Sequence, residues 1–322
     1  QDTQRAGFAV RRGSEMCIRD RAQGGQDGRF GVTYQAMRPF LLLVLLLAAL
    51  PARAADLTLV AWNIAWLTAK PQGHPDLPQN LIRRGPAEYA VRQRIATSLD
   101  ADIIAFQEVD GPLAAARVFD ATRYAFFFPQ EQDTQRAGFA VRRGLSVTQN
   151  PDLAELDQRP AARFSLRRGV DITIESAGRR LRLLSLHLRA GCVEGRLAGR
   201  SAQCEDLLRQ ADHIARWIAA RQAAGEAFVI AGDFNRRLEG NDPFLVLLQN
   251  EAQLTRATDG HRDRCWGTDR PFIDHIIAGG AARDWLDPRS FRMVPLPASH
   301  PAGPDTLSDH CPISVRLRLA GR

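Results

Sequence analysis

The sequence predicts a single α/β domain in which two mixed β-sheets pack together and carry helices on their outer faces. Three observations predict it. Apolar runs of strand length alternate with amphipathic helical stretches, and no Pro/Gly/Ser-rich linker long enough to separate a pair of domains interrupts them. Between residues 124 and 187 short strands follow one another closely enough to form hairpins, whereas elsewhere helices separate them. Residues 55–322, which follow a leader-like stretch, are numerous enough to bury a full core.

The elements follow in order. DLTLVAWNIAW, from Asp56, alternates apolar and polar residues and reads as a first strand. A helix spans about Pro86 to Leu99, with proline in its first turn. DIIAFQEV, from Asp102, is nearly all apolar and reads as a buried strand. Tyr124–Pro129 and Ala137–Val141 are further apolar centres, and GVDITIES and RRLRLLSLHL are the clearest strands of the closely spaced set. Ser201 opens a long helix to about Ala224, with Leu207, Leu208, Ala211, Ile214 and Ile218 on one stripe. AFVIAGDFN is a buried strand ending in a glycine turn, and Asp242-Pro243 supplies the cap and first turn of a short helix. FIDHII, SFRMV and PISVRLRL close the domain.

The N-terminal stretch reads differently. Its first thirteen residues, QDTQRAGFAVRRG, recur unchanged at 132–144. Repeats that build an architecture recur at a fixed period and drift, and this one does neither. The second copy has strand-forming neighbours, while the first runs into a stretch with no helical or strand period. Met37 then opens MRPFLLLVLLLAALPARA: a charged Arg38, an apolar run from Phe40 to Leu50, and Ala52-Arg53-Ala54. These are the three regions of a secretory signal peptide. The apolar run is shorter than the roughly 20 residues a membrane-crossing helix needs. The expectation is a non-native, disordered chimeric segment at 1–36, a signal peptide at 37–54, and a working domain at 55–322. That domain would be periplasmic or secreted, with no lasting membrane anchor, and monomeric.

The formal charge of the whole chain is +7. Residues 1–54 hold 8 basic and 4 acidic side chains, which leaves 35 and 32 and a net charge of only +3 in the domain. That is weak attraction for a polyanion. Arg167-Arg168 and Arg179-Arg180-Arg182 read as solvated faces, and Arg236-Arg237 alone is kept as a candidate phosphate contact. The four cysteines of the domain are Cys192, Cys204, Cys265 and Cys311. An even number in an exported chain points to disulfides, with three connectivities open. No C-x-x-C spacing supports a zinc site.

Each apolar strand ends in a small polar signature. They are Asn63 in AWNIAW, Glu108 in FQEVD, His187 in SLHL, Asp233 and Asn235 in GDFN, Asp274 in FIDHI, and Asp309 with His310 in LSDHCP. Carboxylates, amides and imidazoles meeting at one edge would be costly unless a cation or a reaction used them. Glu108 and Asp309, with Asn63 nearby, are hard oxygen donors of the kind Mg²⁺ takes, with Mn²⁺ the second candidate. An Asp beside a His, as Asp274 could be to His310, fixes the imidazole tautomer and raises its basicity. His187 adds a second group that titrates near neutrality.

In the order N, QE, H, GDFN, D and SDH, these elements resemble the endonuclease/exonuclease/phosphatase superfamily, with its deoxyribonuclease I-like fold, over essentially all of residues 55–322. The resemblance implies a four-layered α/β sandwich. It implies Glu108 as principal metal ligand, with Asn63 and Asp309 completing or supporting the metal and phosphate site. Asp233 and Asn235 would position the attacking water and the phosphate, and His310, oriented by Asp274, would be the general base. His187 would stabilise the transition state or act as general acid. Ala65 stands where the abasic-site branch has an acidic residue, and His187 where that branch has tyrosine. His187 fits the deoxyribonuclease and phosphatase branches better. The partner of His187 is open, with Glu131 the nearest candidate.

The first reading is therefore an exported, Mg²⁺-dependent phosphodiesterase that acts on nucleic acid. The second is a phosphatase or phospholipase of the same fold, acting on inositol phosphates or phospholipid headgroups. The third is a catalytically silent binding module, which ranks last because every expected catalytic letter is present. The loops Thr68 to Arg84 and Gln149 to Pro160, which would shape a pocket, carry no readable code. His275 should face away from its neighbour Asp274 and is assigned to packing, as are Trp66, Trp266 and Trp285.

Overall fold

The structure is a computed structural model, and it describes residues 56–82, 84–162, 165–297 and 306–319. The expectations for 1–36 and 37–54 lie outside the described residues.

The first half of the chain supplies β1 (Asp56–Leu67), α1 (Pro86–Leu99), β2 (Ile103–Val109), α2 (Pro112–Ala115), β3 (Tyr124–Phe127), β4 (Arg136–Arg142) and β5 (Ser146–Gln149). The second supplies β6 (Val170–Ser176), β7 (Arg179–His187), α3 (Ala202–Ala223), β8 (Phe228–Asp233), α4 (Pro243–Gln249) and β9 (Leu254–Arg256). It closes with β10 (Asp274–Gly279), α5 (Ala282–Trp285), β11 (Leu286–Met293) and β12 (Ile313–Arg318).

The helices begin where the sequence offers a cap. Ser201 Oγ accepts the Cys204 N–H at 3.2 Å at the head of α3, and Asp242 accepts the Phe244 N–H at 3.0 Å at the head of α4. Before α1, which starts on Pro86, the Glu88 carboxylate reaches back to the Gly85 N–H at 2.7 Å.

Among the described residues the strands form two six-stranded sheets, ordered β11-β12-β1-β2-β4-β3 and β5-β6-β7-β8-β10-β9. β1 with β2 and β7 with β8 run parallel. The other neighbours are antiparallel. Both sheets thus follow one plan: a central parallel pair, joined by a long helix, with antiparallel strands on either side.

Leu59, Ala61, Ile103 and Phe139 of the first sheet meet Ile172, Leu183, Val229 and Ile276 of the second in a core between the sheets. α1 lays Val91, Ile95 and Ala96 on Val60, Trp62 and Ile104 on the outer face of the first sheet. α3 lays Leu207, Ala211, Ile214 and Ile218 on Leu184, Leu186 and Ile230 on the outer face of the second. The result is four layers, helix on sheet on sheet on helix. Leu208, predicted on the buried stripe of α3, is only partly buried beside it.

Two disulfides form, Cys192–Cys204 and Cys265–Cys311, spanning 12 and 46 residues. Loop-closure entropy makes them worth about 3 and about 4 kcal/mol. Among the described residues no helix is long and apolar enough to cross a membrane.

Candidate active site

Strand register places one half of the site. His187 at the end of β7 pairs with Asp233 at the end of β8, and Asp233 pairs with Asp274 at the start of β10. Residues directly opposite one another project from the same face, so the three side chains stand in a row. His275, next along β10, turns the other way, as expected. Its ring meets Phe234 edge-to-face, with Nδ1 on Thr258 Oγ1 at 2.7 Å and Nε2 on Arg236 O at 3.0 Å.

The other half needs irregular backbone. β2 loses register with both neighbours around Glu108, between Asn63 and Leu67 on β1 and between Phe106 and Val109 on β2. Glu108 itself has φ +62°, and Ala65 and Trp66 have φ +51° and +46°. Left-handed backbone at residues other than glycine costs free energy and is concentrated at functional sites. Here it re-aims a carboxylate, as bulges do. The turn also brings the Trp66 N–H to Glu108 Oε2 at 2.9 Å and the Ala65 N–H to Asn63 Oδ1 at 2.9 Å.

The two halves meet through one amide. Asn63 Nδ2 donates to Glu108 Oε1 at 3.2 Å and to Asp233 Oδ2 at 3.0 Å. His187 Nε2 stands 3.8 Å from Glu108 Oε1 and 3.6 Å from Asp233 Oδ2. On the other side His310 directs Nδ1 to Asp274 Oδ2 at 2.8 Å and Nε2 toward Asp233 Oδ2 at 3.8 Å. Asn235, with φ +52°, gives its backbone N–H to Asp233 Oδ1 at 2.7 Å and its amide N–H groups to Leu188 O and Asp233 Oδ2. Its side chain therefore orients Asp233. Asp309 lies on the rim, its side chain 73% exposed, with Oδ1 3.8 Å from His310 Nε2.

Burial and charge set the proton affinities. Burial pushes the Asp233 carboxyl up, against the pull of His310. Burial opposes a proton on His310, but the facing carboxylates of Asp274 and Asp233 outweigh it and hold the ring well above the ordinary histidine range. His187 is pushed down to about 3, by burial first and then by the charge of Arg167. His187 is thus neutral and His310 cationic around neutrality.

The donors suit a hard divalent cation. Glu108, whose side chain is 14% exposed, is the carboxylate of the bridged pair that opens to solvent. Asp233, Asp274 and His310 could also close on an ion, their nearest atoms lying within 4.8 Å of one another. Glu108 and Asn63 are also held by internal contacts, and what sets Glu108 apart from Asp233 is its greater exposure.

Several supporting residues escaped the sequence reading. Ser308 Oγ donates to Asn63 O at 2.7 Å and accepts the His310 N–H at 3.0 Å. Arg92, fully buried, donates through one nitrogen to the carbonyls of Ile64 and Thr306 at 3.0 and 3.1 Å and to that of Leu307. Arg84 ties Trp66 O to Thr306 O. At Gly232 a Cβ would come within 2.1 Å of Leu186 O, so only glycine lets β8 lie this close to β7. Arg167, read as solvated, donates to Gln135 Oε1 near His187.

One expectation is corrected. Arg236 is wholly buried and grips Asp242 with its Nε at 2.9 Å and its terminal nitrogen at 2.7 Å, so it cannot reach a phosphate. Its companion Arg237 pairs with Glu194 at 2.7 Å. Glu131 accepts the Arg168 backbone N–H, and the carboxylates that face His187 are Glu108 and Asp233.

Two mixed sheets that bring carboxylates, an amide bridge and two imidazoles to a shared edge make an α/β-sandwich protein of the phosphoester hydrolase class. The chain belongs to the Endonuclease/Exonuclease/phosphatase family, whose profile it matches over residues 60–310. No curated protein is matched by the sequence.

Solved structures of similar fold include truncated TDP2 of Caenorhabditis elegans, with TM-score 0.53 and 16% identity, covering 82% of this chain and 97% of that one. AP endonuclease LMAP of Leishmania major gives TM-score 0.54 and 13% identity, covering 82% and 88%. An endonuclease/exonuclease/phosphatase of Beutenbergia cavernae gives TM-score 0.50 and 18% identity, covering 83% and 72%. At these identities the likeness is one of fold.

Proposed function

We propose that the chain is an exported, divalent-metal-dependent phosphodiesterase that cleaves nucleic acid. The observation that carries this reading is the bridge of Asn63 between Glu108 and Asp233, flanked by His187 on one side and the His310–Asp274 pair on the other. Two carboxylates held this close call for positive charge, and a phosphodiester brings a cation with it.

Glu108, with Asn63 and Asp309, would hold Mg²⁺ or Mn²⁺. When bound, the cation neutralises phosphate charge and makes water a better nucleophile. Asp233 Oδ2 faces His310 Nε2 at 3.8 Å, so with His310 already protonated the Asp233 carboxylate would receive the proton leaving the water while the imidazolium beside it balances the charge. Asp274 keeps the His310 ring turned so that Nε2 points inward. Asn235 steadies Asp233, and His187, neutral and held at Nε2 beside both carboxylates, offers a hydrogen bond to the phosphoryl group.

Export draws support from the leader pattern at 37–54 and from two disulfides, which persist in oxidising compartments. The test is incubation of the purified protein with plasmid DNA and with RNA, in Mg²⁺ or in chelator, beside a phosphate-release panel of inositol phosphates and phospholipids. Metal-dependent cleavage of a nucleic acid, lost in Glu108→Ala, is expected. Phosphate release from the panel alone would replace the nuclease reading with the phosphatase one.

A further inference from the structure

We propose that a cavity beside the catalytic edge is a nucleoside subsite, which receives the base and sugar next to the scissile phosphate and favours unpaired nucleotides. The proposal rests on the phosphodiesterase reading above and goes beyond it in naming what lies next to the phosphate and where.

The cavity measures about 270 Å³ and lies among the loop that follows β1, the first turns of α1 and the region of α2. Its position ties it to the catalytic edge through two residues. Trp66 gives its backbone N–H to Glu108 Oε2 at 2.9 Å while its side chain lines the cavity. Arg84, also in the lining, joins Trp66 O to Thr306 O and lies close enough to Glu108 and Asp309 to interact with both charges. Trp66 and Arg84 thus border both Glu108 and the cavity, which places the cavity next to where a phosphate held at Glu108 would lie.

The lining suits a base and sugar. Trp66 and Tyr89 are among the lining, and aromatic rings are what a base stacks on without regard to its identity. Exposed Arg117 stands over the Tyr89 ring at 5.5 Å and donates to its hydroxyl at 3.3 Å, a cation at the rim for a neighbouring phosphate. Lys70, held to Asp110 at 3.0 Å, is a further polar group in the wall. The volume falls just below the roughly 300–1,000 Å³ of clefts for drug-sized ligands, room for one nucleoside and too little for a stacked base pair. A duplex would have to release the nucleotide first.

The experiment compares two esters with the same leaving group, thymidine 5′-(p-nitrophenyl phosphate) and methyl p-nitrophenyl phosphate, in Mg²⁺. The variants are Tyr89→Ala, which removes a ring, and Ile82→Trp, which fills the cavity from a position already 46% exposed and so keeps the packing. The wild-type protein is expected to favour the thymidine ester. Both variants should raise its KM about tenfold, the size of one lost stacking contact, with kinetics on the methyl ester unchanged. Ile82→Trp should also erase a preference for single-stranded over duplex DNA.

Hydrolysis of neither ester by the wild-type protein would overturn the phosphodiesterase reading and this one with it. Hydrolysis of both esters with equal KM, or equal effects of the variants on both, would overturn the subsite alone. Faster hydrolysis of phospholipid vesicles than of either ester, abolished by Ile82→Trp, would assign the cavity to lipid and overturn it as well.

Discussion

The parallel pairs β1–β2 and β7–β8 occupy the same place in their sheets, each joined by a long helix, yet they deliver side chains to the site by opposite means. On β7 and β8 regular pairing is enough: His187 lies opposite Asp233, and Asp274 follows in register on the next strand. On β1 and β2 the ladder breaks, Asn63 lies opposite Gln107, and Glu108 reaches the site only through a left-handed residue in a bulge. The lesson is that His187, Asp233 and Asp274 sit on the stiffer framework and the proposed cation ligand Glu108 on the strained one, while His310 comes from the segment before β12. A cation brings ligands into place as it binds, whereas proton transfer depends on geometry fixed beforehand.

The largest expected effects divide that labour. Glu108→Gln and Asp274→Asn should each lower kcat by about 10²–10⁴-fold, with circular dichroism unchanged. They should differ in metal response: the Mg²⁺ concentration for half activity rises in Glu108→Gln and stays put in Asp274→Asn. A titration of kcat against Mg²⁺ checks this, and equal shifts would dissolve the distinction between the halves.

Stability comes next. On the regular side, Gly232→Ala sets a Cβ 2.1 Å from Leu186 O at φ +143° and should cost roughly 3 kcal/mol or more in urea unfolding. Gly144→Ala, at φ +97° with no atom within 4 Å of the added carbon, should cost about 1–2 kcal/mol. A small loss at Gly232 would mean that this framework yields as readily as the bulged one.

A third prediction extends the comparison from backbone strain to charge strain, on the segment between β3 and β4. Burial, more than any neighbour, pushes Glu131 up from 4.5 to about 8. The folded protein then keeps a proton that the unfolded chain loses first. Its stabilising contribution is complete below about pH 4.5 and declines as pH rises toward 8, by at most about 1.4 kcal/mol per pH unit. Glu131→Gln should remove that slope, matching the wild type near pH 4 and melting several degrees higher at pH 8. The smallest effect is expected on the strained side. Ala65→Gly should stabilise by about 0.5–1 kcal/mol, as release of left-handed strain exceeds the entropy glycine loses. A loss of stability there would mean that the bulge is not strained.

Much of this architecture is legible in the sequence because caps and strand ends leave side-chain signatures. Pro86, Ser201 and Asp242 mark the helix starts, and the polar letters that close each apolar run gather as expected, with Asp309 alone left on the rim. What stayed hidden acts through the backbone or through context. Left-handed φ at Glu108, the Trp66 N–H on its carboxylate and the close approach at Gly232 depend on main-chain path, which no residue type announces. Charge runs are equally mute about burial: Arg236 looked ready for phosphate and is locked inside, while Arg167 looked solvated and stands near His187. The loop after β1 carries no period, so the cavity that it helps to line emerges only from its fold.

Arg92 joins residues separated by 28, 214 and 215 positions through one guanidinium nitrogen. At roughly 5–20 residues per second of synthesis, some 10–40 s pass between the emergence of Arg92 and that of Leu307. During that interval His310 and the serine that braces Asn63 have yet to arrive, so the edge is incomplete. Residues from both ends of the domain are therefore needed to build this edge, and a chain that stops short of Thr306 lacks two of the three carbonyls that Arg92 gathers.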